Sequence, residues 1–304
     1  MTSAASVKDR LRNQAKMAGK PLQELYTAYG LERALYRLSV SEYADRFVLK
    51  GGILLYALFG SEFPRVTRDI DFLAQHISND AQSMKEVFQK VFSIEEDDAL
   101  KFDIDNTVAT NITEFKEYHG VNISTVAYLD RTRIPISIDI GFGDVVVPEK
   151  VKMDYPVLLD MDSPVIYVYS KESIIAEKFE AIVQLGYGNG RLKDFYDIQL
   201  LAMNFDFDGT TLKEAIIETF NHRNTLVDDS YLYDSAFIED ALLTSRWETF
   251  KKKKQAADAI SFADMIIFIR GFLSPITAAI TGDYDFNEKW DHVTSKWIKC
   301  KSPF

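Results

Sequence analysis

Residues 47–72 read FVLKGGILLYALFGSEFPRVTRDIDF, and the fold is decided here. Phe47-Val48-Leu49 is a short apolar run of strand character that stops at Gly51-Gly52. Ile53 to Phe59 follows as a short apolar helix ended by Gly60. Two glycines opening a helix let a phosphate approach the backbone, where free N–H groups and the positive end of the helix dipole meet it. The stretch then closes on a second strand, Asp69 to Ala74. Side chains at i and i+2 of a strand point to one face, roughly 7 Å apart along it. Asp69 and Asp71 therefore face together, with Ile70 and Phe72 turned to the core. Two such carboxylates can hold Mg²⁺, which takes oxygen ligands and bridges protein to phosphate. A pair of ions about 4 Å apart can activate a hydroxyl and stabilise a pyrophosphate leaving group.

Outward from this stretch, a third acid comes from Ile136-Ser137-Ile138-Asp139-Ile140, whose alternation puts Ser137 and Asp139 on one face. Asp139 completes a three-carboxylate site if its strand lies beside the Asp69–Asp71 strand. Asp144, after Gly141 and Gly143, reads as a loop residue. Upstream, 5–17 and 21–45 read as helices, with Gly30 weakening the middle of the second. Ala81 to Phe92 reads as a helix, and Phe102 to Thr110, Val121 to Leu129, Ile134 to Ile140 and Val165 to Tyr169 as strands. Ser170 is positioned to cap a helix from Lys171 to Leu185. Gly186, Gly188 and Gly190 make a loop. Further helices are expected over 193–203, 211–223, 235–255, 261–280 and 286–299. The domain expectation is an α/β part over 1–165 with N-terminal helices, then a helical part over 166–304.

Lys178 lies four residues from both Ile174 and Ile182, so it shares the apolar stripe of its helix; it either carries its head to water or points into a cleft. Asp194 stands four before Ile198, in a first helical turn where acids are favoured as caps. Lys178 is a candidate for binding the triphosphate or stabilising charge that develops in transfer. Arg65, Arg68 and Lys193 are candidate phosphate contacts, with ordinary surface ion pairs as the alternative.

Composition sets the remaining bounds. The chain has 304 residues, 47% hydrophobic and 27% charged, enough to bury a core without staples. The single cysteine, Cys300, excludes an internal disulfide and fits a reducing compartment. Met1 to Lys16 lacks the apolar core of a signal peptide. The most apolar stretch, Ile260 to Leu273, is interrupted by Asp264 and Arg270, so no membrane partner is expected and a cytoplasmic location is. A net charge of −11 argues against an all-over nucleic-acid-binding surface. Residues 1–50, however, carry nine Lys/Arg against five Asp/Glu, and Lys251 to Lys254 form a second basic run. Each is either a binding patch or a solvated helix face.

Lys50-Gly51-Gly52, Arg65-X-Thr67-X-Asp69-Ile70-Asp71-Phe72, Ala176-Glu177-Lys178-Phe179-Glu180-Ala181 and Arg191-X-Lys193-Asp194-Phe195-Tyr196-Asp197 together resemble the AbiEii/AbiGii-type nucleotidyltransferase toxins over residues 45–200. The resemblance implies an α+β fold: a polymerase-β-like nucleotidyltransferase mixed sheet with flanking helices, followed by a mainly helical C-terminal part. It implies an NTP substrate, Mg²⁺ (two ions), an RNA acceptor such as the tRNA 3′ end, and a cognate antitoxin. By position, Asp69 and Asp71 match the metal-binding pair, while Lys178 and Asp194 match the downstream functional Lys and Asp. Lys50, Gly51, Gly52, Arg65, Thr67, Arg68 and Lys193 form the expected nucleotide-binding set. Many nucleotidyltransferases have Gly-Ser where this chain has Gly51-Gly52, which leaves the backbone amides to hold the phosphates. The rival readings are nucleotidyl transfer to a small molecule such as an antibiotic or to a protein hydroxyl, and a catalytically inactive fold kept as a binding module.

Overall fold

The computed structural model describes residues 2–60, 67–113, 119–254 and 260–299. Two compact units result: Met1–Asp144 with Lys150–Tyr169, and Val145–Glu149 with Ser170–Phe304.

The first unit contains α1 (Ala4–Ala18), α2 (Leu22–Ser39), β1 (Phe47–Lys50), α3 (Gly51–Phe59), β2 (Ile70–Ala74), α4 (Ala81–Phe92), β3 (Leu100–Phe102), β4 (Val108–Thr113), β5 (His119–Leu129), β6 (Thr132–Phe142), β7 (Val151–Asp154) and β8 (Val165–Val168). Its mixed sheet runs β3-β5-β6-β2-β1-β8-β7, with β4 also paired to β5. β2 is antiparallel to β1 and parallel to β6. The apolar members of the alternating strands, Ile70, Phe72, Ile134, Ile136, Ile138 and Ile140, are all buried. Helix α2 packs on β6 at Gly30, where a Cβ would stand 2.7 Å from Ile134 Cγ2. The residue that lowers helix propensity here permits close helix–sheet approach. The expected strand Phe102 to Thr110 is two strands instead, because Asp103 Oδ1 accepts from both Asn106 N and Asn106 Nδ2 and turns the chain.

Two of the cations counted in the basic N-terminal stretch are not on the surface. Arg33 and Arg37, on successive turns of α2, are 2% and 1% exposed. Arg37 holds Asp98 with two bonds, Nη1 to Oδ2 at 2.6 Å and Nη2 to Oδ1 at 3.1 Å, and Arg33 Nε donates to Oδ2 at 3.3 Å. Beside them Glu32 is 1% exposed and accepts from Leu158 N at 2.7 Å. Burial pushes its carboxyl up to about 7, against the partial opposition of that amide and Arg33.

The second unit contains α5 (Lys171–Leu185), α6 (Leu192–Asn204), β9 (Phe207–Asp208), α7 (Gly209–His222), α8 (Ser235–Ile238), α9 (Ala241–Lys254), α10 (Phe262–Thr281), β10 (Glu288–Asp291) and β11 (Lys296–Lys299). Ser170 caps α5 as expected, its side chain accepting from Ser173 N. The single helix expected over 235–255 is broken at Asp240, whose Oδ1 accepts from Leu243 N at 2.7 Å. The helix expected over 286–299 is instead a hairpin on β9. It is anchored by Trp290, whose Nε1 donates to Ala202 O at 2.6 Å, and by Trp297, whose Nε1 donates to Phe272 O at 2.9 Å. By length and composition α10 would cross a membrane, yet half of its apolar window is buried, as in a core helix.

Candidate active site

The parallel pairing of β2 and β6 sets Asp71 directly beside Asp139. Adjacent strands are about 4.8 Å apart, so the two carboxylates stand next to one another on the same face. Asp69 lies just ahead of β2 and is exposed; Asp71 and Asp139 are half-buried. The antiparallel pairing of β1 and β2 brings Lys50 opposite Asp71, and α3 starts at the next residue.

Gly51 is required here twice over. Its φ is +69°, a conformation that disfavours L side chains, and a Cβ would fall 1.9 Å from Asp71 Oδ2. The Asp71 carboxylate therefore lies directly over the start of α3. Lys50, the N-cap, makes no side-chain cap bond to that first turn. Its ammonium instead reaches across β2 toward β6. Nζ donates to Asp144 Oδ2 at 2.9 Å and passes beside Gly141, where a Cβ would make only an ordinary contact with it at 3.7 Å. The ring of Tyr169 lies 5.4 Å from the same nitrogen. Asp139 Oδ1 accepts from Asn122 Nδ2 at 2.6 Å.

Of the other expected nucleotide-binding residues, Gly52 is buried in α3 and Arg68 is exposed. Thr67 Oγ1 is buried with no hydrogen-bond partner among the described residues. Arg65 lies outside the described residues. In the second unit, Lys193 is exposed on α6.

Lys178 and Asp194 do meet, within the second unit. Lys178 Nζ donates to Asp194 Oδ1 at 3.0 Å and to Asp197 Oδ2 at 2.7 Å. Both carboxylates are almost wholly buried, and the lysine side chain is 12% exposed. Asp194 thus faces α5 rather than capping α6, and Arg191 Nε donates to its other oxygen at 2.7 Å. Burial alone would push Asp194 up, but Lys178 and Arg191 hold its carboxyl below the ordinary range.

Three partners were missed in the sequence. Asp197 lies one turn from Asp194, so helical spacing alone could have found it. Asn122 carried a weaker signal, a polar residue in an alternating strand. Asp144 carried none, since its pairing with Lys50 depends on β1 and β6 flanking β2.

The donors suit a hard divalent cation. Asp71 and Asp139 offer oxygens side by side, and Mg²⁺ commonly takes one or two carboxylates and completes its shell with water and substrate phosphate. Among the described residues, three ligand atoms of His, Cys, Asp or Glu come within 4.8 Å of one another only at Asp206, Asp291 and His292.

A sheet face presenting paired carboxylates beside a glycine-opened helix belongs with nucleotidyltransferases, and the family comparison makes that class definite. Residues 33–267 match the family described as "Nucleotidyl transferase AbiEii toxin, Type IV TA system", and the chain belongs to that family. It is accordingly a nucleotidyltransferase of a toxin–antitoxin family. Membership implies an NTP substrate, a divalent metal and a cognate antitoxin. Among solved structures, JHP933 from Helicobacter pylori is 18% identical with a TM-score of 0.43, covering 86% of this chain and 97% of that one. An H. pylori protein described provisionally as a nucleotidyltransferase is 16% identical with the same TM-score, covering 84% and 96%. Neither likeness is close enough to bear on function. No curated protein matches the chain.

Proposed function

We propose that this protein transfers a nucleoside monophosphate from an NTP to an RNA 3′ end, the tRNA acceptor, and so blocks translation as the toxin of its pair. One observation carries the reading: Asp71 is seated over Gly51 at the start of α3 and is registered beside Asp139 on the next strand. Asp69, Asp71 and Asp139 are the proposed ligands of Mg²⁺, two ions being expected. Held there, the metal would supply positive charge to offset the triphosphate and the departing pyrophosphate.

The rest falls to the protein. The backbone amides at Gly51 and Gly52 receive phosphate oxygens, with Lys50 as a nearby cation. Thr67, Arg65, Arg68 and Lys193 are further proposed phosphate contacts, and the Thr67 hydroxyl, without a hydrogen-bond partner among the described residues, suits such a role. Asp139 takes the proton of the attacking 3′ hydroxyl. That oxygen bonds to the α-phosphorus as the bond to the β-phosphate oxygen breaks, and pyrophosphate leaves with the electron pair. On the family resemblance, Lys178 and Asp194 also serve the transfer. A cytoplasmic location follows from this reading, because NTPs and tRNA are found there.

One observation favours a different acceptor, a small molecule or a protein hydroxyl. The net charge is −11, and burial of Arg33 and Arg37 removes two cations from any phosphate-binding surface. The test is incubation of the purified protein with each α-labelled NTP and Mg²⁺ against total tRNA, protein and an aminoglycoside, beside Asp69→Ala and Asp71→Ala. Label on tRNA that both variants lose supports the RNA reading. Label only on protein or aminoglycoside moves the acceptor to that class.

A further inference from the structure

We propose that Asn122 is a positioning residue that fixes the carboxylate of Asp139 for metal binding. The inference rests on the reading of Asp139 as a metal ligand. Strand β5 pairs antiparallel with β6 so that Asn122 stands directly opposite Asp139, and Ser124 opposite Ser137. The Asn122 amide nitrogen has two hydrogens, and both are used on this face. One goes to Asp139 Oδ1 at 2.6 Å, the other to Ser137 Oγ at 2.9 Å. An ionised carboxylate only accepts hydrogen bonds, so the NH₂ end of the amide must face it, which settles the orientation of the side chain.

The chemical consequence is asymmetric. Asp139 Oδ1 is committed to the amide, and Oδ2 becomes the oxygen to offer a cation. Ser137, two residues earlier on the same face, steadies the amide by taking its second hydrogen. The arrangement ties three side chains on two central strands into one bonded unit, and a charge-assisted bond of this length is among the stronger kinds. Partners that orient a ligand from behind typically carry 10–100-fold in metal affinity or activity. Asn122 is half-buried in a strand where residues of β-branched or apolar type would pair as well.

The experiment is Mn²⁺ binding to the full-length protein, followed by electron paramagnetic resonance, with unfolding midpoints measured in EDTA. Wild type is compared with Asp139→Asn, Asn122→Leu and Asn122→Ser. The serine variant stands in should leucine disturb the strand. The expected result is a 10–100-fold weaker Mn²⁺ affinity in the Asn122 variants at an EDTA midpoint close to wild type, with transfer rate falling in parallel. A purely structural role would lower the midpoint and leave the metal affinity of the folded protein unchanged, which overturns the proposal. If Asp139→Asn itself binds Mn²⁺ like wild type, the metal reading of Asp139 fails, and this inference with it. If Asp139→Asn loses Mn²⁺ while both Asn122 variants bind like wild type, only the positioning role is refuted.

Discussion

Replacing Gly51 with alanine separates the catalytic use of this glycine from its conformational use. An L residue in the left-handed region costs about 1–2 kcal/mol. At φ +69° that cost falls on stability. The added carbon would also sit 1.9 Å from Asp71 Oδ2 and 2.5 Å from Asp71 Cγ. Normal non-bonded contact is about 3.5 Å, so the carboxylate must move by more than about 1 Å. Misplacement of a reacting group by about 1 Å costs on the order of 100-fold in rate. Gly51→Ala should therefore lose about 1–2 kcal/mol in urea unfolding and at least about 100-fold in kcat for transfer from an α-labelled NTP. Gly60→Ala is the control. Gly60 ends the same helix at φ +61° with nothing among the described residues within 4 Å of a new Cβ. Its ψ of −138° is still less open to L residues, so the variant should lose at least as much stability and keep its kcat. Equal kcat in the two variants would refute the claim that Asp71 is seated on Gly51 for function.

Three further outcomes follow from buried groups. Glu32 is held up to about 7 in the folded chain against about 4.5 unfolded. Its contribution to stability is full below about 4.5 and lost as pH rises through about 7, so Glu32→Gln should be the more stable protein at pH 8, by about 3 kcal/mol at most, and no more stable at pH 4. Urea titrations at the two pH values check it. Lys178→Ala would leave Asp194 and Asp197 buried without their shared cation, a loss of about 3–5 kcal/mol. The triple variant Lys178→Ala, Asp194→Asn, Asp197→Asn should regain much of that stability in the same assay and still not transfer. Gly30→Ala should lower stability by about 1–3 kcal/mol through its clash with Ile134, although alanine is the better helix former.

Where residues near in sequence decide the structure, the chain was easy to read. The glycine-opened helix and the α5 boundaries rest on local periodicity and capping; the strand expected from Asp69 starts one residue later, at Ile70, so Asp69 stands ahead of it and only Asp71 of that pair is a strand residue. The neighbour relation of Asp71 and Asp139 was only a condition in the sequence, since strand order is set by contacts that sequence spacing does not encode. The C-terminal hairpin, where a helix is expected over 286–299, shows that residue spacing alone is ambiguous. Trp290 and Trp297 are seven apart, which places them on one face of a helix, but the β10–β11 register also sets them directly opposite each other. The basic N-terminal stretch misled in a similar way: Arg33 and Arg37 have helical spacing suited to a solvated face, and only Asp98, distant in sequence, shows why they are buried.

The most direct test of the central claim is the single-turnover rate of Asp139→Asn with an α-labelled NTP and total tRNA, beside wild type and Asp71→Asn. Both substitutions are isosteric and leave the sheet register intact. The account predicts that each variant keeps the wild-type unfolding midpoint and transfers no label above background. Transfer at the wild-type rate by either variant would contradict it, because the carboxylate pair across β2 and β6 would then not be the catalytic centre.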